Sequence, residues 1–271
     1  MYAEMGSTNP VFILPGAMHE MGIEIAKGLT LSVTLGVGQF CTNPGLVFWE
    51  ESETAAQFQK AAAEQFQEVV SAPMLTPAIH QTFQNGIVRL TKQDGVQVLA
   101  RGKAEGKGLQ GTAVLLKTSA GSFLHNAHLE EEVFGPSTLF VTVNNKAELL
   151  LVARRLKGHL TATLWATGED LRNYSDLVAV LERKVGRLII NGFPTGVEVC
   201  YSMVHGGLYP ATTDSRSTSV GTLAIKRFTR PISYQNFPDG LLPNELKNEN
   251  PLGIWRLVNG NWMKTRDTLK N

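Results

Sequence analysis

Along residues 11–191, segments with the hydrophobic pattern of strands are followed by segments with the hydrophobic spacing of helices. Short apolar runs bounded by turn residues predict buried strands at 11–14, 46–49, 113–116, 139–143, 160–166 and 186–191. Apolar residues three or four positions apart predict helices at 18–35, 54–70, 76–84, 146–157 and 169–183. Because helices separate the strands, the pattern indicates βαβ units. We expect an α/β fold, a three-layer α/β/α sandwich with a mostly parallel sheet.

After Asn191 the periodic pattern ends. Residues 205–221, rich in Gly, Ser and Thr, form a long loop, and long loops in compact domains are often functional. A short helix around 219–228 and a strand at 230–236 are predicted next. The remaining 237–271 is rich in Pro, Asn and Lys. We expect a body at 1–229 and a C-terminal tail packed on it through Trp255 and Trp262.

Composition excludes several classes of protein. The 271 residues suffice for one large domain or two small ones. Lys and Arg number 25 and Asp and Glu number 24. The chain therefore lacks the excess of basic residues that would indicate binding to nucleic acid. The sequence contains no apolar run of about 20 residues, so it predicts no membrane helix. The N-terminus has neither the basic residues nor the apolar core of a signal peptide. The two cysteines make no disulfide framework, so we expect a reduced, cytoplasmic environment. Without CxxC, HExxH or a His cluster, we expect no metal site.

Cys41 lies in a loop between the helix predicted at 18–35 and the strand predicted at 46–49, flanked by Gly38, Pro44 and Gly45. Glycines let a backbone approach a substrate closely. A thiol in such a loop can act as a nucleophile, and nearby backbone N–H groups can receive an oxyanion. The alternative is a buried structural cysteine. We expect Cys41 near the carboxyl ends of the strands, as a thiolate alkylated more readily than Cys200.

Three short motifs occur in a fixed order. Glu4 lies in Glu-Met-Gly-Ser-x-Asn-Pro, Cys41 in Gly-Gln-x-Cys-Thr, and Glu132 and Phe134 in Glu-Glu-Val-Phe-Gly-Pro. Alone, each carboxylate could be a solvated surface group. Glu4 and Cys41 are 37 positions apart, and Cys41 and Glu132 are 91 positions apart. In this order and spacing, the set resembles the aldehyde dehydrogenase superfamily over residues 1 to about 236. Met5-Gly6-Ser7 departs from the common Leu-Gly-Gly.

Three further segments, 9–15, 39–45 and 213–221, look like one branch of that superfamily. This branch contains the 2,5-dioxovalerate (α-ketoglutaric semialdehyde) dehydrogenases and typically prefers NADP. The resemblance implies an aldehyde substrate and NADP, or NAD, as cofactor. The sequence fixes neither the aldehyde nor the choice between the two cofactors.

The resemblance also implies a role for each motif residue. Cys41 would attack the aldehyde carbonyl to give a thiohemiacetal and then a thioester. Glu4 would activate the water that hydrolyses the thioester and help to deprotonate Cys41. Glu132 would hold the nicotinamide ribose hydroxyls, Phe134 would pack near the nicotinamide, and Gly6 would belong to the cofactor site.

Family members carry a dinucleotide-binding domain ahead of the glutamate motif, whereas three residues precede Glu4 here. The resemblance therefore implies a catalytic domain at 1–229 whose partner is the missing N-terminal half of the same enzyme. Residues 230–236 resemble the strand that joins the family's oligomerisation sheet, so we expect a homo-oligomer. We expect this chain alone to bind NADP weakly and to oxidise aldehydes slowly or not at all.

Two other functions remain open. Cys41 and Glu4 could serve a cofactor-independent thiol esterase or acyl transferase, or the chain could be a non-enzymatic binding domain. The intact motif set argues against loss of function, and Glu132 and Phe134 argue against a pure esterase. A dicarboxylate-like substrate would require a cation, for which Arg216 in the 205–221 loop is a candidate; the alternative is a solvated arginine.

Overall fold

The computed structural model describes residues 1–264, and its elements follow the predicted order. The strands are β1 Val11–Ile13, β2 Leu46–Glu50, β3 Ala72–Pro73, β4 Gln97–Arg101, β5 Gln110–Gly111, β6 Val114–Ser119, β7 Ser137–Val143, β8 His159–Trp165, β9 Val185–Ile190, β10 Arg256–Val258 and β11 Asn261–Met263. The helices are α1 Pro15–Thr34, α2 Glu53–Glu68, α3 Pro77–Thr91, α4 Ala120–His125, α5 Lys146–Arg155, α6 Gly168–Asn173 and α7 Ser175–Leu181. Short 3₁₀ turns occupy Leu35–Gly38, Ala127–Glu130, Thr222–Phe228 and Asp239–Leu241.

Seven strands form the central sheet, in the order β4-β6-β7-β2-β1-β8-β9. The central strand β1 pairs in parallel with β2, Val11 opposite Val47, and with β8, Val11 opposite Thr163. Only the edge strand β4 runs antiparallel to its neighbour β6. The mostly parallel sheet is therefore confirmed, with strands β1, β2, β7 and β8 covered on both sides, as buried parallel strands require.

Alternate side chains of each strand enter two separate cores. Phe12 and Phe48 face one core, which is closed by apolar residues of α3, α4, α5 and α7. Val11 and Trp49 face the other, which is closed by α1 and α2. In the second core Trp49 packs edge-on against Phe58 and Phe140, with ring centroids 5.2 and 4.6 Å apart. The alternation of strand side chains thus produces the predicted α/β/α layers.

Helix α1, which leads towards Cys41, is fixed at its start by a distant carboxylate. The oxygens of Asp170 accept hydrogen bonds of 3.0 Å from the backbone N–H groups of Gly16 and Ala17. The first N–H groups of a helix have no partner within the helix, and a negative charge there is favourable. Asp170 also accepts from the N–H of Thr167 at 2.9 Å, so one buried carboxylate holds two helix starts together.

Several element boundaries differ from the prediction. Helix α2 begins at Glu53 and is capped by the side chain of Ser52, which accepts from the N–H of Ala55. The helix predicted at 169–183 is divided into α6 and α7 at Tyr174. Residues 222–228 form a 3₁₀ turn. Local hydrogen bonds decide such ends, and apolar periodicity does not specify them.

A second compact unit begins at Thr229. Residues 230–236 are not a strand, because no backbone in the described residues 1–264 pairs with them. The unit contains a hairpin that the pattern did not predict, β10 and β11, joined by Asn259 and Gly260 with φ of +50° and +82°. Asn-Gly is the favoured pair for such a turn. Trp255 and Trp262 are exposed, and residues 265–271 of the predicted tail lie outside the described residues.

Within residues 1–264 there is no helix with both the length and the apolar character that a bilayer span needs.

Candidate active site

The motif residues gather at the amino ends of the parallel strands. Cys41 precedes β2, Glu4 precedes β1, and Glu132 precedes β7. The prediction that Cys41 lies near the carboxyl ends was therefore wrong. The rule behind it concerns loops that leave parallel strands, whereas these motifs lie on segments that enter them.

The backbone around Cys41 is held by the side chain of Asn9. Its amide nitrogen donates to the carbonyls of Ser7, Cys41 and Asn43 at 3.1, 3.0 and 2.9 Å. Its oxygen accepts from the hydroxyls of Ser7 at 2.8 Å and Thr161 at 3.1 Å. Asn9 is fully buried and has φ +45°, a conformation that asparagine tolerates better than most residues. One amide therefore ties the segment before β1 to the Cys41 loop.

The Cys41 loop also packs directly on the segment that carries Glu132 and Phe134. The amide of Asn43 donates to the carbonyl of Gly135 at 3.1 Å. Gly38 has φ +66°, and a Cβ there would lie 2.2 Å from the carbonyl carbon of Gly135. Only glycine permits this approach, so Gly38 brings the nucleophile loop against the predicted cofactor segment.

A third segment completes the site with a residue that the motifs did not include. The Sγ of Cys41 lies 3.3 Å from Nε2 of His205, and the same Nε2 lies 3.5 Å from an Oε of Glu4. The sulfur of Cys41, a ring nitrogen of His205 and a carboxylate oxygen of Glu4 all lie within 4.8 Å of one another. Cys41 and Glu4 are exposed, whereas the side chain of His205 is 3% exposed. Thiol, imidazole and carboxylate therefore form a contiguous chain that opens to solvent.

The 205–221 loop positions both ends of this chain. The Ser219 hydroxyl donates to the carboxylate of Glu4, and the Ser219 N–H donates to the carbonyl of His205 at 2.8 Å. Glu4 forms an antiparallel bridge with Thr212. A Cβ at Gly207 would lie 2.2 Å from the carbonyl of His159, so glycine lets this loop lie against the start of β8. The loop singled out as functional thus holds Glu4 and His205.

The charges around Cys41 favour the neutral thiol. Burial raises the pKa of Cys41, and the carboxylate of Glu4 raises it further; backbone N–H groups of Cys41 and Thr42 oppose this. Burial lowers the pKa of His205, although Glu4 acts in the opposite direction. Both shifts favour the uncharged forms, a thiol beside a neutral imidazole, whereas the sequence led us to expect a thiolate. Attack by the sulfur would require a base. The two candidates are His205, whose Nε2 contacts the sulfur at 3.3 Å, and Glu4, whose carboxylate lies within 4.8 Å of it.

Glu132 lies on the other side of the Glu4 segment. It accepts a hydrogen bond from the backbone N–H of Ser7, but burial dominates and raises its pKa to about 7. A Cβ at Gly6 would lie 2.8 Å from a carboxylate oxygen of Glu132, so glycine makes room for this side chain. The carboxylate borders a cleft of about 470 Å³ that is also lined by Met5–Thr8. Phe134 is half-buried and lines an adjacent small cavity with Thr8 and Asn43.

An arginine on β9 supplies a positive charge to this region. Arg187 donates to the carbonyls of Gly196 and Pro194 at 2.9 and 2.8 Å, while its buried Nε has no hydrogen-bond partner. Burial lowers the pKa of Arg187, and a thiolate at Cys41 would act against this shift. By contrast, the candidate cation Arg216 is 92% exposed and pairs with Asp214 at 3.5 Å. The sequence pattern singled out the solvated arginine and missed the half-buried Arg187.

His205 and Arg187 had weak signals in the sequence. His205 begins the His-Gly-Gly that opens the 205–221 loop, and Arg187 interrupts the apolar run 185–190. A charged residue within an apolar strand is an exception to the pattern, and β9 is half-buried at that position. Neither residue has a fixed spacing from Cys41 that would have identified its role.

Comparison with known proteins identifies relatives of this chain. The model of the Aldehyde dehydrogenase family matches residues 1–230. The chain is 45% identical over 260 residues to alpha-ketoglutaric semialdehyde dehydrogenase 2 of Azospirillum brasilense, covering 96% of this chain and 50% of that protein. The alpha-ketoglutaric semialdehyde dehydrogenase of Acinetobacter baylyi is 44% identical, with 96% and 49% covered. The chain spans about half the length of these curated relatives.

Solved structures show the same fold at lower identity. An aldehyde dehydrogenase from Bacillus cereus matches with a TM-score of 0.68 and 20% identity, over 84% of this chain and 45% of that one. Proline utilization A from Bdellovibrio bacteriovorus matches with a TM-score of 0.69 and 20% identity, over 83% of this chain and 23% of that one. The α/β catalytic-domain fold is thus shared with solved aldehyde dehydrogenases.

We expect Asn9→Asp to destabilise the fold strongly. The substitution keeps the shape but turns a donor towards three carbonyl oxygens into a buried carboxylate, and breaking such a buried arrangement costs about 3–5 kcal/mol. The free energy of unfolding from urea titration measures the loss. Asn85→Asp on the exposed face of α3 is the control and should change it by less than about 0.5 kcal/mol. An equally small change for Asn9→Asp would show that this amide does not hold the loop.

The raised pKa of Glu132 predicts that the free energy of unfolding depends on pH in a way that a substitution can reveal. Its folded pKa is raised from 4.5 to about 7, so the stability that its proton contributes is complete below about pH 4.5 and is lost as the pH rises through 7. Glu132→Gln stays neutral and should equal the wild type near pH 4, yet exceed it at pH 8 by at most about 3 kcal/mol.

Urea unfolding at the two pH values measures this difference. Glu64→Gln, at an exposed site on α2, is the control and should show no gain that depends on pH. A constant offset between Glu132→Gln and wild type at both pH values would contradict the raised pKa.

Proposed function

The chain belongs to the aldehyde dehydrogenase family, and on that premise we propose that residues 1–228 carry the nucleophile and the base of an NAD(P)-dependent oxidation of an aldehyde to a carboxylate. The observation that carries the proposal is the contact chain from Cys41 through His205 to Glu4, with distances of 3.3 and 3.5 Å. Nucleophile, proton acceptor and carboxylate in hydrogen-bond reach are what thiol catalysis requires.

The first step is attack by Cys41. Because its thiol is neutral at rest, the S–H proton leaves as the sulfur–carbon bond forms, passing to Nε2 of His205 at 3.3 Å. The Glu4 carboxylate at 3.5 Å stabilises the resulting imidazolium. The N–H groups of Cys41 and Thr42 favour negative charge at this position. The product is a thiohemiacetal on Cys41.

The second step is hydrolysis of the thioester that remains once a hydride has left the adduct. Glu4 is exposed and lies within 4.8 Å of the Cys41 sulfur, so a water between them can lose its proton to the carboxylate. Ser219 orients this carboxylate through its hydroxyl. Attack on the thioester carbon breaks the carbon–sulfur bond, and the proton that His205 accepted in the first step returns to the sulfur to give the thiol.

The residues around Glu132 fit the nicotinamide end of NAD(P)⁺, which when bound supplies the hydride acceptor. A carboxylate accepts hydrogen bonds from paired sugar hydroxyls, and Glu132 presents one to a cleft of about 470 Å³. Gly6 leaves the space that a Cβ would fill beside Glu132. Phe134 offers an apolar face next to it. Cofactor binding by this chain alone is expected to be weak.

Two partners belong to this proposal. The first is the remaining length of the relatives, about half of each, which would supply the adenosine and phosphate contacts. The second is another copy of the enzyme, because 230–236 lack a pairing partner in the described residues 1–264. An unpaired extended segment can join the edge of another sheet.

For the substrate we propose a semialdehyde that carries a carboxylate, the class named in both curated relatives. Support comes from Arg187, whose two hydrogen bonds to backbone carbonyls do not neutralise its charge. Within residues 1–264 no carboxylate lies within ion-pair distance of it. Its charge acts on both Cys41 and His205. Because it lacks a carboxylate partner among these residues and interacts electrostatically with Cys41 and His205, this guanidinium suits an anionic substrate.

The roles of Cys41 and Glu4 can be separated with p-nitrophenyl acetate. We expect a burst of one p-nitrophenolate per chain as Cys41 is acetylated, followed by slow turnover. Glu4→Gln should keep the burst and lower the turnover about 10²–10⁴-fold, the contribution typical of a general base. Cys41→Ala should give no burst, while Cys200→Ser, the control, should behave as wild type.

Aldehyde-dependent reduction of NADP⁺ by the same variants tests the oxidation itself. It should require both Cys41 and Glu4 wherever it occurs. Ester turnover through Cys41 in a full-length enzyme that reduces no NADP⁺ would favour the esterase alternative. A burst that persists in Cys41→Ala would contradict the nucleophile assignment.

The charge of Arg187 can be measured at the thiol with two alkylating reagents that differ in charge. Iodoacetate and iodoacetamide react with Cys41 by the same displacement, so the ratio of their rates reports the local potential. Arg187→Gln should lower the iodoacetate-to-iodoacetamide ratio about tenfold, equivalent to about 1.4 kcal/mol. The solvated Arg216→Gln is the control. Equal slowing of both reagents by Arg187→Gln would indicate a structural role only.

A further inference from the structure

Two of the three separations among the polar groups at the centre of the site match those of ligands around a tetrahedral metal ion. Zinc binds Cys sulfur at about 2.3 Å, His nitrogen at about 2.0–2.1 Å and carboxylate oxygen at about 2.0–2.2 Å, which at tetrahedral angles places neighbouring ligand atoms about 3.3–3.6 Å apart. The observed separations are 3.3 Å between Sγ of Cys41 and Nε2 of His205, and 3.5 Å between that nitrogen and Glu4. All three ligand atoms lie within 4.8 Å of one another.

We propose that Glu4, Cys41 and His205 form a reversible Zn²⁺ site whose occupation holds the nucleophile inactive. The Cys41–His205 and His205–Glu4 separations already suit a shared ion, and the third pair, Cys41 and Glu4, lies within 4.8 Å. Both of these side chains are exposed, which gives an ion direct access from solvent. The inference rests on the geometry of the cluster and does not depend on which aldehyde the enzyme oxidises.

The surrounding contacts preorganise two of the ligands. The Ser219 hydroxyl orients the Glu4 carboxylate, and the N–H of Ser219 donates to the carbonyl of His205 at 2.8 Å. The backbone N–H of His205 donates to the hydroxyl of Thr218 at 2.8 Å, which fixes the main chain that carries the imidazole. The contact of Ser219 with Glu4 is a side-chain contact of the kind that orients a metal ligand. The site differs in this respect from a carboxylate and a histidine that meet by chance on a surface.

The ligand types select the ion. A thiolate with an imidazole suits Zn²⁺ and disfavours Mg²⁺ and Ca²⁺, which prefer oxygen. On binding, the S–H bond of Cys41 breaks, its proton passes to solvent, and a zinc–sulfur bond forms; nothing is oxidised or reduced. The fourth coordination position remains for water, as in zinc sites with three protein ligands. The sulfur lone pair used for attack on an aldehyde is then engaged by the ion.

Such a site has no sequence signature. Its ligands are 37 and 164 positions apart and lie on three segments, which explains why the absence of contiguous zinc motifs predicted no metal site. The structure assembles what the linear spacing separates.

Cobalt(II) substitution tests the proposal directly. Titration of the chain with Co²⁺ under reducing conditions should give one equivalent of a four-coordinate complex, with intense visible d–d bands and a near-ultraviolet thiolate-to-cobalt charge-transfer band. Zn²⁺ should displace the cobalt spectrum and protect Cys41 from iodoacetamide, and a chelator should restore labelling. A weak six-coordinate spectrum, or labelling of Cys41 unaffected by Zn²⁺, would overturn the site.

Variants show whether all three ligands take part. Glu4→Gln and His205→Gln should each weaken Zn²⁺ binding at least about tenfold, and Cys41→Ser should remove the charge-transfer band. His128→Asn is the matched control, because His128 makes an exposed 2.7 Å contact with Glu131 and no thiol is part of that pair. If His205→Gln does not fold, as judged by circular dichroism, the exposed Glu4→Gln decides the question. Unchanged Zn²⁺ affinity in Glu4→Gln would reduce the site to an ordinary thiol–metal contact and contradict the proposal.

Discussion

The hydrogen bonds of the Asn9 amide are the interaction on which the site depends. A single buried side chain binds the carbonyls of Ser7, Cys41 and Asn43 and accepts from Thr161. These groups come from the segment entering β1, the segment entering β2 and the strand β8. Carbonyl oxygens in a buried region must be paired, and here one amide pairs three of them. The position of Cys41 therefore depends on core hydrogen bonding by Asn9 as well as on Gly38 and Asn43 of its own loop.

The groups around Cys41 have opposing effects on the pKa of its thiol. Glu4 and burial disfavour the thiolate, whereas Arg187 and two backbone N–H groups favour it. The balance leaves a neutral thiol at rest, next to a neutral His205 that can take its proton. A resting thiol is a poorer target for adventitious electrophiles than a thiolate. The same arrangement makes the chemistry dependent on the precise contact of three side chains, and those three side chains are also the ones that match a zinc ion.

Two glycines determine how closely the catalytic and cofactor segments approach each other. Gly38 lets the Cys41 loop lie on Gly135, and Gly6 makes room for the carboxylate of Glu132. A side chain at either position would separate the thiol from the carboxylate expected to hold the nicotinamide ribose. In the proposed function, this chain supplies the nicotinamide end of the cofactor site. Contacts to the rest of a dinucleotide would come from the half of the relatives that this chain does not span.

The sequence by itself determined the order of strands and helices and the two buried faces. Strand alternation and helical spacing are local properties, so they could be read directly from residues such as Phe12 and Val11, which face opposite cores. It also singled out Cys41, Glu4, Glu132 and Phe134 through short motifs. The end of the sheet at which Cys41 lies followed from its place before β2, but a general rule about strand ends led the prediction to the wrong edge.

Only the tertiary structure decided which residues complete the site. His205 reaches Cys41 across 164 positions, and Asn9, Ser219 and Arg187 act through contacts between segments that no local pattern links. The pKa of Cys41 likewise depends on burial and on the Glu4 carboxylate, which are properties of the folded arrangement. Periodicity encodes which face of an element is buried, whereas distances between side chains on different elements are set by the packing of the whole sheet.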